Sequence, residues 1–542
     1  MRLSWKMVLL NIVRIGRRMA KKAVLDALIK RADFALQDSP LAMNMGTEIK
    51  LAEFIGNGQL GKLLRKPDFQ RETNHWSPSQ ISGLVKSFVS NELIPALILW
   101  KSNSFIFVID GAHRLSALKA WADNDYGDGT ASGAFFSQNI NASQKTIALE
   151  TRKLVEAEVG RYSDYVSMTE EQLAADHVKA GKFATIFNRA LHVQWIHGNQ
   201  DVAESSFFKI NSQGTVLDQT EETLLKNRNR SYAIAARSIV RAGTGHNYWS
   251  KFSQENQKRI EGNAKELNDL LFQPDVTEPL KTLDLPLNGT ASPVDSLKSL
   301  IDIFAIIDGE SDAKKSLAKL TDDADGQQTI ELLKRSLKVA RRMTGNDAGS
   351  LGLHPAAYFY TEKGKPSRYL FLGVLSAISD AVRNNDKSFF KRFTSQRAKI
   401  ENTLIARKSL IIQGLANVNS TQRVDKIRGL LKSLVIHFEK QDQVLDRDIL
   451  RFLGLEGSAG DLKQIEAPVG FSTEIKSAIF LQTAVNCAPR CNICGGLLHV
   501  VKSASYDHKT PVAAGGQGHV ANAQIVHPFC NTGIKGSDVS QP

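Results

Sequence analysis

All four cysteines of this 542-residue chain lie after residue 480, and their spacing strongly limits how that segment can fold. Cys491 and Cys494 form a C-x2-C pair, while His527 and Cys530 form an H-x2-C pair 33 residues after Cys494. Two such pairs complete a tetrahedral Zn²⁺ site with nitrogen and sulfur ligands, and a closed site of this kind supplies folding energy to a small core. Cys487 could replace one ligand, but its spacing to Cys491 is the poorer match. We therefore predict a structural zinc site at Cys491, Cys494, His527 and Cys530.

A second group of polar residues lies between and just after the zinc pairs: Asp507, His508, Asn522 and Asn531. Hydrolysis of a phosphodiester needs a base that activates water and a divalent cation that holds the phosphate and the leaving oxygen. Histidine is a suitable base because its unperturbed pKa of about 6.5 lies near neutrality. Asp507 and Asn531 offer the hard oxygen ligands that Mg²⁺ prefers. Asn522 could hydrogen-bond across a hairpin and fix the orientation of His508.

Together these residues resemble the HNH (ββα-metal) endonuclease family. That family has a C-x2-C pair, D-H-x-x-P with a Gly-Gly turn, an Asn, and a second zinc pair followed by Asn or His and a nearby Lys. The matching positions here are Cys491/Cys494, Asp507-His508 with Pro511, Gly515-Gly516, Asn522, His527/Cys530, Asn531 and Lys535. The resemblance implies that His508 is the general base, that Asp507 and Asn531 bind a catalytic Mg²⁺ or Mn²⁺, and that Asn522 orients the base. The H-x2-C pair departs from the commoner C-x2-C, and a plain zinc ribbon is the alternative interpretation.

Near the other end of the chain, the stretch FVIDGAHRLSALKAW (residues 107–121) predicts a buried strand, a turn at Asp110-Gly111 and a helix that begins at once. Arg114 falls in the first turn of that helix, where the helix dipole disfavours a cation. Backbone N–H groups at such a turn can hold a phosphate, and Arg114 would suit its oxygens. The alternative is a simple Asp-Gly turn with a solvent-facing arginine.

Two flanking segments extend this motif into a resemblance to the DUF262 family of the GmrSD type, which has a ParB/sulfiredoxin-like fold. The family pattern is Q-R followed by W, then I-D-G-x-x-R, then F-x-x-I/L-N-x-x-G-T-x-L. Its counterparts here are Gln70-Arg71, Trp76, Asp110-Gly111-Ala112-His113-Arg114 and residues 207–217 with Asn211. The resemblance implies an NTP- or phosphate-binding site formed by Gln70, Arg71, Asp110, Gly111, His113, Arg114 and Asn211. Ala112 and His113 replace the commoner pair of glutamines, a departure that favours binding of the nucleotide over its hydrolysis.

Local patterns predict several further elements around the motif. Ser77, Pro78 and Gln80 carry the signature of a capped helix start, and two continuous apolar runs, IPALILW and SFIFVID, predict buried strands. Residues 125–140 are loop-like by composition, 165–240 have a mainly helical pattern, and 250–465 are mostly helical by periodicity.

These observations predict an α+β multidomain protein with four parts. They are a basic helical extension (1–46), a DUF262/ParB-like α/β nucleotide-binding domain (47–245), an α-helical domain (246–465) and a zinc-stabilised HNH domain (471–542). The Gly-rich segment at 454–470 reads as a linker, and either Met1 or Met19 could be the true start. No segment has the apolar length of a membrane helix, so we expect a cytoplasmic protein without membrane insertion.

The formal net charge of +13 favours a polyanionic partner, most often nucleic acid. Proteins that join a DUF262 module to an HNH nuclease resemble type IV anti-phage restriction enzymes. The leading hypothesis is therefore a metal-dependent DNA endonuclease controlled by a nucleotide-binding or DNA-sensing module. One HNH site cuts one strand, so a double-strand break needs two events or a homodimer. Two alternatives are a ParB-like, nucleotide-gated DNA-binding protein with a purely structural zinc module, and a nuclease subunit active only with other defence proteins.

Overall fold

A computed structural model describes residues 22–32, 46–56, 58–67, 70, 76–102, 105–213, 219–289, 293–416, 418–456 and 471–534. The chain divides into two compact units, Met1–Lys226 with Thr244–His246 and Asn227–Gly243 with Asn247–Pro542. The predicted basic helix at the N-terminus and most of the predicted linker lie outside the described residues. Within the described part, none of the helices combines the length and the apolar character needed to cross a bilayer.

The first unit is built on a mixed six-stranded sheet with the order β1-β3-β5-β4-β6-β2. Its strands are β1 (Arg31–Ala32), β2 (Glu48–Lys50), β3 (Leu64–Pro67), β4 (Leu97–Lys101), β5 (Ile106–Asp110) and β6 (Ala190–Ile196). The strands β1, β3 and β5 run parallel to one another, so their carboxyl ends meet at one edge of the sheet. The Asp110-Gly111 turn follows β5 and lies at that edge, which is where open α/β sheets usually bind ligands.

Eleven α-helices of the first unit are described, and several cover this sheet. They are α1 (Leu51–Phe54), α2 (Gln59–Leu63), α3 (Pro78–Val89), α4 (Ala112–Asp123), α5 (Thr130–Phe135), α6 (Ala142–Glu158), α7 (Tyr162–Val166), α8 (Glu170–Ala175), α9 (His177–Asn188), α10 (Gln200–Gln213) and α11 (Gln219–Lys226). The predicted helix start is confirmed, because Ser77 and Gln80 form a reciprocal capping box at α3. The two predicted buried strands are confirmed as β4 and β5.

One local prediction in this unit holds with an exception, and another was wrong. The region 165–240 is mainly helical, as expected, but it also contains β6, whose hydrogen bonds come from β2 and β4 and so depend on residues far away in the chain. The segment expected to be a loop contains α5, because the buried Asp125 carboxylate accepts hydrogen bonds from the backbone of Gly127, Gly129 and Ser132. That side chain organises the start of α5 in a segment whose composition alone favours a turn.

The second unit is mainly helical and also contains the cysteine-rich segment. Its helices are α12 (Ser231–Val240), α13 (Gln254–Phe272), α14 (Pro293–Asp308), α15 (Ala313–Lys319), α16 (Gln327–Met343), α17 (Pro355–Tyr358), α18 (Arg368–Arg383), α19 (Lys387–Ser395), α20 (Arg397–Ala406), α21 (Lys408–Ala416), α22 (Ser420–Phe438), α23 (Asp446–Phe452) and α24 (Thr473–Asn486). Two strands, β7 (Ser505–His508) and β8 (Ala523–Val526), form an antiparallel hairpin. The helical periodicity read in the sequence at α14 and α18 is confirmed. The division into four domains stays a prediction.

Candidate functional site

The predicted zinc ligands come together in the second unit. The ligand atoms of Cys491, Cys494, His527 and Cys530 all lie within 4.8 Å of one another, and this cluster could hold a metal ion. Cys487 is exposed and is not part of the cluster. The three cysteines sit in a small core with Leu498 and Val526, and His527 is also buried, as expected for a structural site closed to solvent.

The surroundings of His527 fit a role as a metal ligand. Its Nε2 lies 2.9 Å from the carbonyl oxygen of Leu497, which can only accept, so Nε2 carries the proton. The unprotonated Nδ1 then faces the sulfurs, 3.3 Å from Cys494 Sγ and 3.9 Å from Cys530 Sγ. Burial lowers the pKa of His527, which favours the neutral imidazole that binds metal.

The three thiols also fit a divalent cation. Hydrogen bonding to Cys494 holds the pKa of Cys491 well below its usual range. Conversely, the contact with Cys491 raises the pKa of Cys494 to about 12, and it also raises the pKa of Cys530. Three thiolates cannot share so small a volume without a compensating positive charge. Zn²⁺ would supply that charge, so the residues present are a suitable zinc-binding set.

A buried ion pair in the helical part of the unit supports the zinc site. Arg397 and Glu401 are almost fully buried, with 2.7 Å between Arg397 Nε and Glu401 Oε1. The other carboxylate oxygen, Oε2, accepts a hydrogen bond from the backbone N–H of Leu497 at 2.5 Å. Since the carbonyl of Leu497 also holds His527, the ion pair fixes the residue that orients a zinc ligand.

We expect Glu401→Ala to lower the free energy of unfolding of the second unit by about 3–5 kcal/mol, because it leaves the Arg397 charge buried and uncompensated. Urea denaturation followed by tryptophan fluorescence would measure this change. The matched control is Glu474→Ala, which breaks the solvent-exposed pair with Lys365 and should cost about 0–1 kcal/mol. Similar small effects of both substitutions would contradict the supporting role of the buried pair.

The predicted catalytic residues lie on the β7–β8 hairpin and on the helical segment that follows it. Asp507 pairs with Gln524 across the hairpin, and His508 pairs with Ala523. The Asp507 carboxylate accepts from Gln524 Nε2 at 2.8 Å and from the backbone N–H of His508 at 2.7 Å. These two bonds hold the Asp507 carboxylate near the end of β7, where His508 is the next residue.

Asn531 is positioned by its neighbour Cys530, a residue of the zinc cluster, at the start of the π-helical turn Cys530–Ile534. Its Nδ2 donates to Ser505 Oγ at 2.8 Å. Ser505 and Asp507 are two residues apart on β7, so their side chains project from the same face of the strand, about 7 Å apart along it. The fold therefore brings Asp507 and Asn531 to one side of the hairpin.

Asn522 organises the loop that follows His508. Its Oδ1 accepts from the backbone N–H of Thr510 at 2.8 Å, and its Nδ2 donates to the carbonyls of Thr510 and Gln517. At Gly516 an added Cβ would lie 1.9 Å from the Thr510 carbonyl oxygen, so this close approach requires glycine. A Cβ at Gly518 would lie 4.0 Å from His508 Nε2, which places the imidazole beside this loop. The sequence-based expectation that Asn522 orients His508 directly stays a prediction.

Sequence reasoning missed Ser505 and Gln524, which hold Asn531 and Asp507. The available signal was strand alternation: Ser505 lies two residues before Asp507, on the same face of any strand that contains both. Gln524 could be found only from the register of the hairpin, which the sequence of β7 alone does not specify.

In the first unit, the turn between β5 and α4 has the predicted form. Gly111 has a φ of 100°, and a Cβ there would lie 2.4 Å from Leu97 Cδ2, so both conformation and packing require glycine. Arg114 Nη2 lies 2.5 Å from Asp110 Oδ2, and Nη1 donates to the carbonyl of Pro95 at 2.6 Å. These partners offset the unfavourable position of the cation in the first helical turn, and they leave only 11% of the Arg114 side chain exposed.

The other predicted pocket residues are only partly described. Gln70 is buried, and its Nε2 donates to the carbonyls of Val108 and Ile109 just before the turn. The ring of His113 stacks on that of Trp76, with centroids 5.6 Å apart. Asn211 falls within α10, and Arg71 lies outside the described residues. The structure thus places Gln70, His113 and Arg114 close to the carboxyl end of β5.

Comparison with known proteins concerns the N-terminal module. The family described as "GmrSD restriction endonuclease, N-terminal domain" matches residues 51–229, about a third of the chain. No curated protein and no solved structure matches the sequence. The family match supports the DUF262-type prediction for this module and does not test the HNH prediction for the C-terminal segment. Residues 51–229 are therefore similar to the N-terminal domain of the GmrSD restriction endonucleases, which points to a family of restriction, anti-phage nucleases.

Proposed function

We propose that this protein is a metal-dependent DNA endonuclease whose HNH-type site lies on the β7–β8 hairpin. The observation that carries the proposal is the hydrogen bonding of the hairpin. Ser505 and Gln524 hold Asn531 and Asp507 on one side of it, and His508 follows Asp507 as the last residue of β7. A plain zinc ribbon gives no reason for this arrangement. The similarity of the first unit to a restriction endonuclease domain supports DNA as the substrate.

In the proposed reaction His508 takes a proton from the attacking water, and the phosphodiester phosphorus is the atom attacked. The carboxylate of Asp507 and the side-chain oxygen of Asn531 are the groups that would hold Mg²⁺ or Mn²⁺, which polarises the phosphate and stabilises the leaving oxygen when bound. Asn522 keeps the loop after His508 closed through Thr510 and Gln517. The zinc cluster acts only as the support that fixes the position of Asn531.

A plasmid assay tests this proposal. We expect the purified protein to convert supercoiled plasmid to the nicked form in Mg²⁺ or Mn²⁺ and to do so much more slowly in Ca²⁺. Phage DNA with modified and unmodified bases, each with and without ATP, GTP or CTP, would show which substrate and which nucleotide matter. Absence of divalent-metal-dependent nicking under all of these conditions would favour the alternative of a DNA-binding protein with a structural zinc module. Strong activity only in complex with other defence proteins would favour a partner-dependent subunit.

We also propose that the sheet edge at the β5–α4 turn binds a nucleoside triphosphate. It combines the backbone N–H groups of a helix start, the Arg114 guanidinium and a buried acceptor, Gln70 Oε1, for which the described residues provide no hydrogen-bond partner. Arg114 already donates to Asp110 and Pro95, but each of its Nη atoms carries a second N–H that a phosphate could accept. A deprotonated phosphate oxygen can only accept a hydrogen bond, so it cannot pair with Gln70 Oε1. A hydroxyl of the ribose can donate to this oxygen. The two groups therefore fit different parts of one nucleotide.

Arg114→Ala is expected to weaken nucleotide binding by about ten- to a hundredfold, because charge-assisted hydrogen bonds contribute about 1.5–3 kcal/mol. Isothermal titration calorimetry with ATP, GTP and CTP would measure the loss. The matched control is Arg152→Ala, which removes another partly buried arginine paired with an aspartate, Asp128, in the same unit. An affinity equal to that of the wild type, in a variant that unfolds at the same temperature, would contradict this site.

A further inference from the structure

An open cleft in the second unit is lined by a concentration of positive charge that neither the zinc site nor the catalytic hairpin uses. The cleft has a volume of about 370 Å³ and lies between α13 and α16 and the segment that follows α16. Its lining includes Lys334, Lys338, Arg341 and Arg342 against one acid, Asp347. We propose that this cleft binds the phosphate backbone of the DNA substrate and guides it to the hairpin, an inference that rests on the proposed nuclease function.

The spacing of the cations suits a polymer of phosphates better than a single small anion. Lys334, Lys338 and Arg341 are four and three residues apart, so they form one stripe about 10 Å long on the exposed side of α16. DNA presents a charge about every 3.4 Å along each strand, which matches an extended row. A compact triphosphate would engage only part of this row.

The pairing of these cations leaves them available to an incoming anion. Lys334 contacts Glu331 in a solvent-exposed pair that contributes little to stability. Arg341 makes a bidentate, half-exposed pair with Glu266 and also lies 3.5 Å from Asp347. Among the residues that the structure describes, Lys338 makes no ion pair within 4 Å. Phosphate binding by Lys334 and Lys338 would therefore replace one weak pair and would not break a buried one.

The cleft also borders the catalytic hairpin. Arg342 donates to the carbonyl of Gly349 at 2.5 Å, and its guanidinium lies 5.7 Å from the ring centroid of Phe529.

The segment after α16 also contacts residues on both sides of the predicted metal ligands. The contacts are Asn346 Oδ1 with the N–H of Ala504, the carbonyl of Ala348 with Thr532 Oγ1, and the carbonyl of Ser350 with the N–H of Phe529. Ala504 precedes β7 directly and Thr532 follows Asn531, so a backbone seated in the cleft leads toward the site of cleavage.

The test measures DNA binding separately from cleavage. Binding of a fluorescent 30-base-pair duplex to the full-length chain would be followed by anisotropy, over a range of salt concentrations and in the His508→Ala background without Mg²⁺. The variants are Lys334→Ala/Lys338→Ala and the charge reversal Lys338→Glu. The matched controls are Lys298→Ala and Lys298→Glu, at another exposed lysine on a helix of the same unit.

We expect the double alanine variant to bind about tenfold more weakly at 100 mM salt and to reduce the slope of log K against log[salt] by about 2, since each phosphate contact contributes about 0.9. Lys338→Glu should weaken binding further, and the Lys298 variants should bind like the parent. An unchanged slope in variants with unchanged melting temperature would overturn the inference, as would an equal loss in the Lys298 controls. The inference would also fail if the Lys334 and Lys338 variants lost affinity for free ATP but bound the DNA duplex like the parent, because the cleft would then bind a small phosphate compound and not DNA. If His508→Ala in the otherwise wild-type chain still cuts plasmid while the cleft variants lose DNA binding, the proposed catalytic site fails and the cleft stands.

Discussion

His508→Ala is expected to lower the rate of plasmid nicking by about 10²–10⁴-fold, which is the usual contribution of a general base. The substitution removes the imidazole beside the Gly518 loop and leaves untouched the hydrogen bonds that hold Asp507 and Asn531. Single-turnover nicking rates in saturating Mg²⁺ would measure the loss, because they report the chemical step without product release.

The controls for this variant separate catalysis from structure. Zinc content and affinity for a DNA duplex should match those of the wild type, because His508 belongs to neither the zinc cluster nor the basic cleft. His192→Ala, at an exposed histidine in the first unit, should nick at the wild-type rate. Undiminished nicking by His508→Ala would mean that the bond-breaking residues lie elsewhere.

Removal of zinc should have the largest effect on the second unit as a whole. Structural zinc contributes about 10–16 kcal/mol to the folding of isolated zinc-finger peptides. In the small core here, three of the ligands, Cys491, Cys494 and Cys530, pack directly with the apolar side chains. We expect Cys494→Ser to lose the metal, to lower the melting temperature of the unit by roughly 10 °C or more, and to abolish nicking even in excess Mg²⁺. Metal analysis, scanning calorimetry and the plasmid assay would measure the three results.

The chain offers a matched control in Cys487, which is exposed and outside the cluster. Cys487→Ser should keep zinc, stability and activity. A loss of zinc in Cys487→Ser, with retention in Cys494→Ser, would show that the ligand set is different. His527→Cys should retain zinc, because a fourth thiolate is an acceptable ligand, but it gives up the hydrogen bond to Leu497.

The two functional regions differ in how far the sequence predicts their structure. The zinc ligands could be identified because zinc accepts few residue types and brings pairs of neighbouring residues into one small volume. The strand, turn and helix around Gly111 could be identified because capping, apolar runs and turn residues act over a few positions. The hydrogen bond from Arg114 to the Pro95 carbonyl could not be identified, because Pro95 precedes β4 and is distant from Arg114 in sequence.

Local sequence patterns were enough to predict candidate residues for binding zinc, activating water and binding a divalent cation, and to predict where helices and buried strands begin near the main motifs. The contacts between distant segments emerged only from the folded chain: β6 joining the sheet, Ser505 holding Asn531, Glu401 holding the residue that orients His527, and a basic cleft beside the hairpin. The two kinds of feature differ because they act over different distances along the chain. Propensities, caps and metal-ligand spacing act over a few residues, whereas register, buried charge pairing and surface clefts arise only when elements far apart in the chain pack together.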